Sequence, residues 1–340
     1  MKKIVLIVCG MLFAFAAIGC SEPEVKKSAE TEQTSTDEMV PESSEESEDI
    51  NISIKWEDGT IPDAFGNDKK KLTIKDANVV VTASDVVLVM DVEYSNKDSQ
   101  ASNLINDPVC AVVPYQNGVV LETPGFTTEP GYYDYSDAFA DVKSGGVVNT
   151  QLVWSLRDAN APIEIDFGTD EHYRPKFSET LILSGAEGFE LVKSPFPVKT
   201  ESDYEIVWKD DKEPKEVGGG DSVAKIKGSR IIESSTYGTL LVMDFEYTNH
   251  AKKEKDFIND DNCHVKVYQN GVELDSTGIT SEMYEFNYSD AYLRVRNGGT
   301  INTQLVWVLN DTKNPVELEL GYDERYQPDE VVSFTIKAKQ

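Results

Sequence analysis

The chain has 340 residues, of which 61 are acidic and 32 are basic, so its formal net charge is −29 at pH 7. A field of this sign repels phosphate groups, and the composition therefore argues against nucleic acid and anionic lipid headgroups as direct partners. The same charge keeps a protein in solution.

The first twenty residues predict an export signal. Lys2 and Lys3 precede an apolar run over residues 4–18, and small residues lead into Cys20. The run is too short for a stable membrane span. The segment resembles the lipobox of bacterial lipoproteins, which implies that residues 1–19 are removed and that the Cys20 thiol receives a diacylglyceryl group with acyl chains such as palmitate. We therefore expect a lipid anchor in the cell membrane with the protein facing the extracellular side. A signal with an incidental cysteine is the alternative.

Residues 20–50 are predicted to be an acidic tether that begins with the lipidated cysteine. Residues 21–50 are rich in Ser, Thr, Glu and Pro and contain eleven acidic residues against two lysines. Such a segment cannot bury enough apolar surface to fold. We expect it to be disordered and to hold the folded part roughly 30 Å from the anchor.

The rest of the chain is a duplication. Residues 90–175 and 243–328 align without a gap at an offset of 153, and about half of the aligned positions are identical. The sequence MDVEYSN returns as MDFEYTN, and YQNGVVL returns as YQNGVEL. We predict two domains, repeat 1 (residues 51–183) and repeat 2 (residues 204–340), joined by a linker at 184–203.

The hydrophobic pattern within each repeat has a period of two. In repeat 2, one face of the predicted strand is apolar and the other is Val242, Asp244 and Glu246, and the equivalent residues of repeat 1 show the same pattern. The apolar face consists of Leu241, Met243, Phe245 and Tyr247. The Asn-Gly of YQNGV predicts a tight turn between two strands. With about eight short strands and no helical window in either repeat, the fold class is all-β, with two tandem antiparallel immunoglobulin-like β-sandwiches.

Two cysteines remain after the signal, Cys110 and Cys263, at equivalent positions. Strand alternation directs the Cys263 thiol inward. Two core thiols in separate domains cannot reach the Cα spacing of roughly 5.5 Å that a disulfide needs. We therefore predict buried free thiols. Four tryptophans also stand at repeated positions and are expected in the cores: Trp56, Trp154, Trp208 and Trp307.

The motifs FEYTN, VYQNGVEL and a Gly-rich turn before a strand, followed by PVELE, resemble a family of uncharacterised Gram-positive lipoproteins with immunoglobulin-like domains. That family is distantly similar to secreted immunoprotective antigens of mycobacteria. The resemblance lies in residues 245–249, 267–274, 298–309 and 315–319 and their counterparts. It implies a sandwich fold and an envelope location but no activity. Repeat 1 departs from the pattern at Pro114, which indicates an edge strand or a bulge.

Catalytic and metal-binding motifs are weak. None of the three histidines, His172, His250 and His264, is shared by both repeats, and no known nucleophile, zinc or phosphate-loop motif occurs. We therefore expect no enzyme, no cofactor and no metal. Three recurring acidic clusters leave calcium binding as an alternative, although Asp and Asn in such turns usually bond the backbone: 106–107 with 259–260, 135–137 with 288–290, and 170–171 with 323–324.

A tyrosine-rich stretch in each repeat is the best candidate for recognition. Aromatic rings beside carboxylates offer flat contact area and hydrogen bonds at low entropic cost. The alternative is that these rings simply point into the sandwich. The candidate binding residues are Tyr132, Tyr133 and Tyr135 in repeat 1 and Tyr284, Phe286 and Tyr288 in repeat 2.

These patterns favour a non-catalytic binding or interaction module at the cell envelope. Its expected contacts are the membrane, through the lipid on Cys20, and an envelope protein, peptide or glycan, with no nucleic acid. A passive structural or spacer protein is the alternative, followed by a calcium-binding module or an enzyme.

Overall fold

The structure is a computed structural model that describes residues 52–62, 64–82, 85–125, 127–170, 174–186, 191, 203–234, 237–276, 286–323 and 325–339. The predicted signal peptide, Cys20 and the acidic tether lie outside the described residues, as does most of the predicted linker. The described residues belong to one compact unit.

Eleven strands occur in the described part of repeat 1. They are β1 (Ser53–Trp56), β2 (Phe65–Gly66), β3 (Lys70–Val81), β4 (Val86–Asn96), β5 (Val112–Gln116), β6 (Val119–Val120), β7 (Thr128–Glu129), β8 (Tyr133–Asp134), β9 (Gly146–Ser155), β10 (Ile163–Thr169) and β11 (Pro175–Ser184). Two main sheets result, ordered β1-β11-β10-β5-β6 and β2-β3-β4-β9, and β7 pairs with β8 alone.

Repeat 2 has the same architecture. Its described strands are β12 (Tyr204–Trp208), β13 (Glu216–Gly219), β14 (Ser222–Ser234), β15 (Gly238–Asn249), β16 (Val265–Gln269), β17 (Val272–Glu273), β18 (Thr300–Val308), β19 (Val316–Tyr322) and β20 (Pro328–Ala338). Their sheets are ordered β12-β20-β19-β16-β17 and β13-β14-β15-β18. The residues equivalent to β7, 281–282, lie outside the described residues.

Each core lies between the two main sheets of its repeat. In repeat 1, Leu72 and Met90 of one sheet pack with Ile165 and Phe167 of the other. Neighbouring strands are antiparallel throughout the described sheets, and β3 and β14 carry a register shift at the same place. The all-β class and the two tandem sandwich-like repeats are thus confirmed. The described helical segments are single 3-10 turns of three or four residues, and none has the length to cross a membrane.

The local predictions for the turns and cores can be checked directly. Asn117 and Gly118 both have positive φ, as the Asn-Gly turn between β5 and β6 requires. Pro114 lies in β5 beside the short edge strand β6, yet its pairing with Ile165 of β10 is intact. Three of the four tryptophans are buried, and Trp208 is partly buried against Phe334.

Cys110 and Cys263 are buried and form no disulfide, as predicted. Neither Cys110 nor Cys263 exposes any surface. Burial raises the pKa of each thiol to about 12, and the carboxylate of Asp107 or Asp260 acts in the same direction. The two cysteines are therefore protonated core residues at neutral pH.

Repeat 1 contacts repeat 2 through its β5–β6 hairpin. The Val120 N–H donates to the Arg294 carbonyl at 3.1 Å, and the Arg296 N–H donates to the Gly118 carbonyl at 2.8 Å. Val119, at the tip, belongs to the hydrophobic core of repeat 2 and is 2% exposed. One hairpin thus adds a short strand to the neighbouring repeat.

The side chain of Arg296 fixes this contact. Its guanidinium carbon lies 3.4 Å from the ring centroid of Tyr115, and it forms ion pairs with Asp166, Glu164 and Glu254. Burial acts to lower the pKa of Arg296, but Tyr115 and Asp166 outweigh it, so the pKa is raised. The charge is therefore fully present in the interface.

A second ion pair across the interface joins Arg157 of repeat 1 to Asp290 of repeat 2. Arg157 donates to both carboxylate oxygens of Asp290, at 2.6 and 3.3 Å. Backbone also meets backbone: a Cβ added to Gly118 would lie 2.9 Å from the Cα of Gly299. The interface therefore requires glycine at the hairpin tip.

Candidate functional site

Most of the predicted aromatic binding residues are buried. Tyr133 and Tyr135 are 7% and 3% exposed and pack with Val87, Val89 and Val153 on the outer face of the four-stranded sheet. Phe286 is covered in the same way in repeat 2, and Tyr288 belongs to the main core of that repeat. These four rings therefore have very little exposed surface with which to contact a partner.

Tyr132 is the exposed member of the predicted set, with 45% of its surface accessible, and Tyr284 lies outside the described residues. The structure also reveals two exposed rings that the sequence analysis missed, Phe139 and Tyr292, at 49% and 47%. They end the recurring sequences YSDAF and YSDAY, and Phe139 packs 6.0 Å from Tyr135. The recurrence of an aromatic residue at this position was the available signal.

The amide side chains of the repeated motifs have structural roles. Asn96, which ends EYSN, donates to the carbonyls of Gln100 and Val142, and its counterpart Asn249 makes the equivalent bonds. Gln116 of YQNG donates to two loop carbonyls and accepts from two loop N–H groups, as does Gln269. These residues recur because they satisfy buried loop backbone.

A buried aspartate is the third shared element. In repeat 1, the Asp107 carboxylate accepts from the Tyr94 hydroxyl at 2.8 Å and from the Val109 N–H at 3.1 Å. The Lys70 ammonium lies 3.3 Å from it and also donates to Ser102. This carboxylate, one of the clusters considered for calcium, is thus occupied by the protein itself.

Repeat 2 builds the same arrangement with two residues exchanged. Asp260 accepts from the Tyr247 hydroxyl at 2.8 Å and from the Lys255 ammonium at 3.0 Å. Lys255 also donates to Ser222 at 3.4 Å. The strand thus carries the lysine in repeat 1 and the serine in repeat 2, while the loop carries the other residue. The aspartate requires one ammonium group, and either position can supply it.

The other acidic clusters also act mainly in turns and in the interface. Asp323 accepts from the backbone of Arg325 and Gln327, and Asp290 is paired with Arg157. Within the described part of the chain, no group of three or more His, Cys, Asp or Glu side chains has the arrangement of a metal site.

Repeat 2 contains a cavity of about 400 Å³ at one edge of its sandwich, between β16 and β18. Phe257, Leu305 and Trp307 supply an apolar floor, and His264 and Lys266 lie on its polar side. Such a volume, with a few polar groups around an apolar floor, is typical of small-ligand sites. The residues on the hairpin side of the rim are Glu273, Leu274, Asp275 and Ser276, so two carboxylates also border the cavity.

The polar side of the cavity is specific to repeat 2. The counterparts of His264 and Lys266 at the offset of 153 are Ala111 and Val113. The Tyr322 ring positions both side chains: the imidazole lies edge-on at 5.8 Å and the ammonium 5.0 Å from its centroid. Burial, together with the Lys266 charge, lowers the pKa of His264 below its usual 6.5. The cavity therefore offers a neutral imidazole and one cation at pH 7.

Repeat 1 has a different depression, on the outer face of its four-stranded sheet, lined by polar residues that include Asp91, Asp134 and Gln151. Gln151 donates to Asp91 at 2.8 Å. In repeat 2 the equivalent aspartate is paired at 2.6 Å with Arg230, whose counterpart is an asparagine. The two repeats thus differ on their surfaces while they share their interior.

Comparison with known proteins assigns the chain to a family. A family model for a domain of unknown function, DUF5067, matches residues 42–169 and 198–321, which together make up more than half of the chain. The chain belongs to the DUF5067 family. Each DUF5067 match covers most of one repeat. No curated protein matches this DUF5067 chain. A solved structure from Staphylococcus aureus, described as a "putative lipoprotein", is 16% identical with a TM-score of 0.29, over 38% of this chain and 92% of that one.

Proposed function

We propose that this DUF5067 protein is a lipid-anchored, non-catalytic binding protein of the cell envelope, and that the cavity of repeat 2 is its ligand site. The cavity is the observation that carries the proposal, because it combines an apolar floor with a polar side that the fold does not need. Repeat 1 builds the same sandwich with Ala111 and Val113 at those two positions.

The location rests on the amino-terminal sequence. The charged start, the apolar run and the cysteine at position 20 support removal of residues 1–19, lipidation of Cys20 and display on the extracellular side. The resemblance of the FEYTN and YQNGVEL motifs to Gram-positive lipoproteins, and more distantly to mycobacterial antigens, supports the same address.

The ligand class follows from the lining of the cavity. An apolar or aromatic group of the ligand fills the space above Trp307, and an anionic or hydrogen-bonding group faces Lys266 and His264. A volume of about 400 Å³ accommodates one side chain of an envelope peptide or a small amphipathic molecule. The Cys263 thiol borders the cavity but, being protonated, does not act as a nucleophile.

The proposal is tested with a fluorescent probe, 1-anilinonaphthalene-8-sulfonate, which carries an apolar ring system and one anionic group. The unit Asp49–Gln340 should bind one probe molecule per chain in a saturable manner. The double variant H264A/K266V, which gives repeat 2 the residues of repeat 1, should weaken binding at least about tenfold through loss of the charged hydrogen bond.

The reciprocal variant, A111H/V113K, is the matched control and should leave probe binding unchanged. Peptide fractions from envelope material are then screened for displacement of the probe. If wild type and H264A/K266V behave alike, the cavity is not a ligand site, and the passive spacer becomes the better description.

Tyr132 is a second proposed contact residue, on a separate protein or glycan surface, because its ring is exposed and the acidic residues Glu129 and Asp134 are near it in the sequence. The Tyr132→Ala variant should lose retention of the protein on purified envelope glycan while its thermal unfolding stays unchanged. Retention equal to that of the wild type would remove Tyr132 from the proposal.

A further inference from the structure

The two hairpins that follow the YQNG motif have the same sequence signal but different surroundings. The tip of the β5–β6 hairpin is buried in repeat 2 through Val119, which is 2% exposed. The equivalent residue of the β16–β17 hairpin is Val272, which is 60% exposed, and a Cβ on Gly271 would meet no atom within 4 Å. Repeat 2 therefore presents an unused copy of the element that repeat 1 uses for docking.

The backbone of this second hairpin is also available. In repeat 1, the outward edge of the hairpin is the Gly118 carbonyl and the Val120 N–H, both bonded to repeat 2. Their counterparts, the Gly271 carbonyl and the Glu273 N–H, form no hydrogen bond with any described part of the chain. An exposed strand edge of this kind is a template for pairing with another strand.

The segment of repeat 2 that receives the docked hairpin also has a counterpart in repeat 1. The docked hairpin pairs with residues 294–296, and their counterparts are residues 141–143 of repeat 1. Val142 forms an isolated antiparallel β-bridge with Ser102, and Val295 forms the equivalent bridge with Lys255. The Asp141 carbonyl and the Lys143 N–H, which would receive a hairpin, have no backbone partner among the described residues.

We propose that the β16–β17 hairpin of one copy docks on residues 141–143 of repeat 1 in a second copy, and so repeats the internal contact head to tail between molecules. The template is the contact between the two repeats of one chain. Because each molecule offers one hairpin and one receiving segment, the contact is heterologous and continues from copy to copy unless a ring closes.

The central side-chain contacts carry over to the proposed interface. Lys143 replaces Arg296 and would face Tyr268, the counterpart of Tyr115. Glu317 and Glu319 stand where Glu164 and Asp166 pair with that arginine. A cation thus again meets one aromatic ring and two of the three carboxylates of the internal contact, since the counterpart of Glu254 is Ala101. The central charges remain complementary.

Two peripheral positions make the contact between molecules weaker than the internal one. Glu273 stands where repeat 1 has Val120 and would face Asp141, which stands where repeat 2 has Arg294. Like charges that face each other oppose association, and the strong net negative charge of the chain adds to the repulsion. We therefore expect an association that depends on a high local concentration, as on a membrane surface, and that strengthens with salt.

The experiment uses the full lipidated chain in neutral phosphatidylcholine vesicles. Protein with Glu273→Cys is mixed with protein carrying Asp141→Cys, two facing positions outside the central contact, and disulfide formation is followed under mild oxidation. Head-to-tail docking predicts that mixed dimers exceed either homodimer several-fold, because only the mixed pair joins a hairpin to a receiving segment. Equal yields of the three dimers would overturn the proposal.

A gain of function gives the second readout. The double variant E273V/D141R restores the residues of the internal interface and removes the facing carboxylates. Sedimentation of this variant should show association at about tenfold lower protein concentration than the wild type. Since both side chains are exposed, folding should be unaffected. A variant that sediments as the wild type does, together with equal cross-linking yields, would show that the free hairpin serves no second copy.

Discussion

Repeat 1 and repeat 2 place an asparagine, a glutamine and an aspartate at equivalent buried positions, whereas their surfaces meet different surroundings. The shared residues satisfy loop backbone or a buried hydroxyl, as Asn96 and Asn249 do. The residues that differ lie around the hairpins, the cavity and the interface. The comparison teaches that the motifs which recur in this chain support the fold, and that functional sites are to be sought where the repeats differ.

The largest predicted effect comes from removing an ion pair that both repeats contain. Lys255→Ser leaves the buried Asp260 carboxylate without its ammonium group and should lower the free energy of unfolding by about 2–3 kcal/mol. Urea denaturation measures the loss.

The exchange between the repeats supplies the control for that variant. Repeat 1 has its lysine on the strand and its serine on the loop, so S222K/K255S should recover most of the stability lost in K255S. A double variant as unstable as the single one would show that the two positions are not interchangeable.

The second prediction separates the docked hairpin from the free one. Gly118 and Gly271 have similar positive φ values, 76° and 73°, so alanine strains the backbone equally at both. Only at Gly118 would the new Cβ press on backbone, at 2.9 Å from Gly299. We expect Gly118→Ala to cost about 1–3 kcal/mol more than Gly271→Ala in urea denaturation. Equal losses would mean that the hairpin of repeat 1 is not held against repeat 2.

The smallest predicted effect concerns pH. The pKa of His264 is lowered in the fold, so its protonation favours the unfolded chain; stability is fully present above pH 6.5 and decreases as the pH falls below it. Thermal unfolding at pH 7.5 and 5.5 should therefore show a larger loss for the wild type than for His264→Ala, which has the repeat 1 residue. A His264 signal that titrates at or above pH 6.5 in NMR would contradict this.

Sequence patterns predicted the fold because the strands alternate clearly and the Asn-Gly turns have a single geometric reading. The buried free thiols, Cys110 and Cys263, followed from the same alternation. The position of the aromatic stretch did not follow, because alternation in YYDYSD fits a contact surface and a covering layer equally well. The outer face of the sheet is apolar at Val87 and Val89, and it is this surface that Tyr133 and Tyr135 cover.

The interface and the cavity were beyond sequence reasoning for a different reason. The docked hairpin differs from the free one mainly in Val120 against Glu273, a single change of side chain in a motif that is otherwise the same. The partner of the buried aspartate changes position between the repeats, so an aligned sequence shows two mismatches where the structure shows one conserved ion pair. The docking of the hairpin and the conserved ion pair both depend on which strands are neighbours, which the sequence alone does not show.

The central claim is that one YQNG hairpin is docked within the chain and the other is free. Amide hydrogen exchange measures this within a single molecule. We predict slow exchange for the N–H groups of Val120 and Arg296, which are bonded across the interface, and fast exchange for their counterparts in Glu273 and Lys143 at protein concentrations below self-association. Equal exchange rates within each pair would contradict the account.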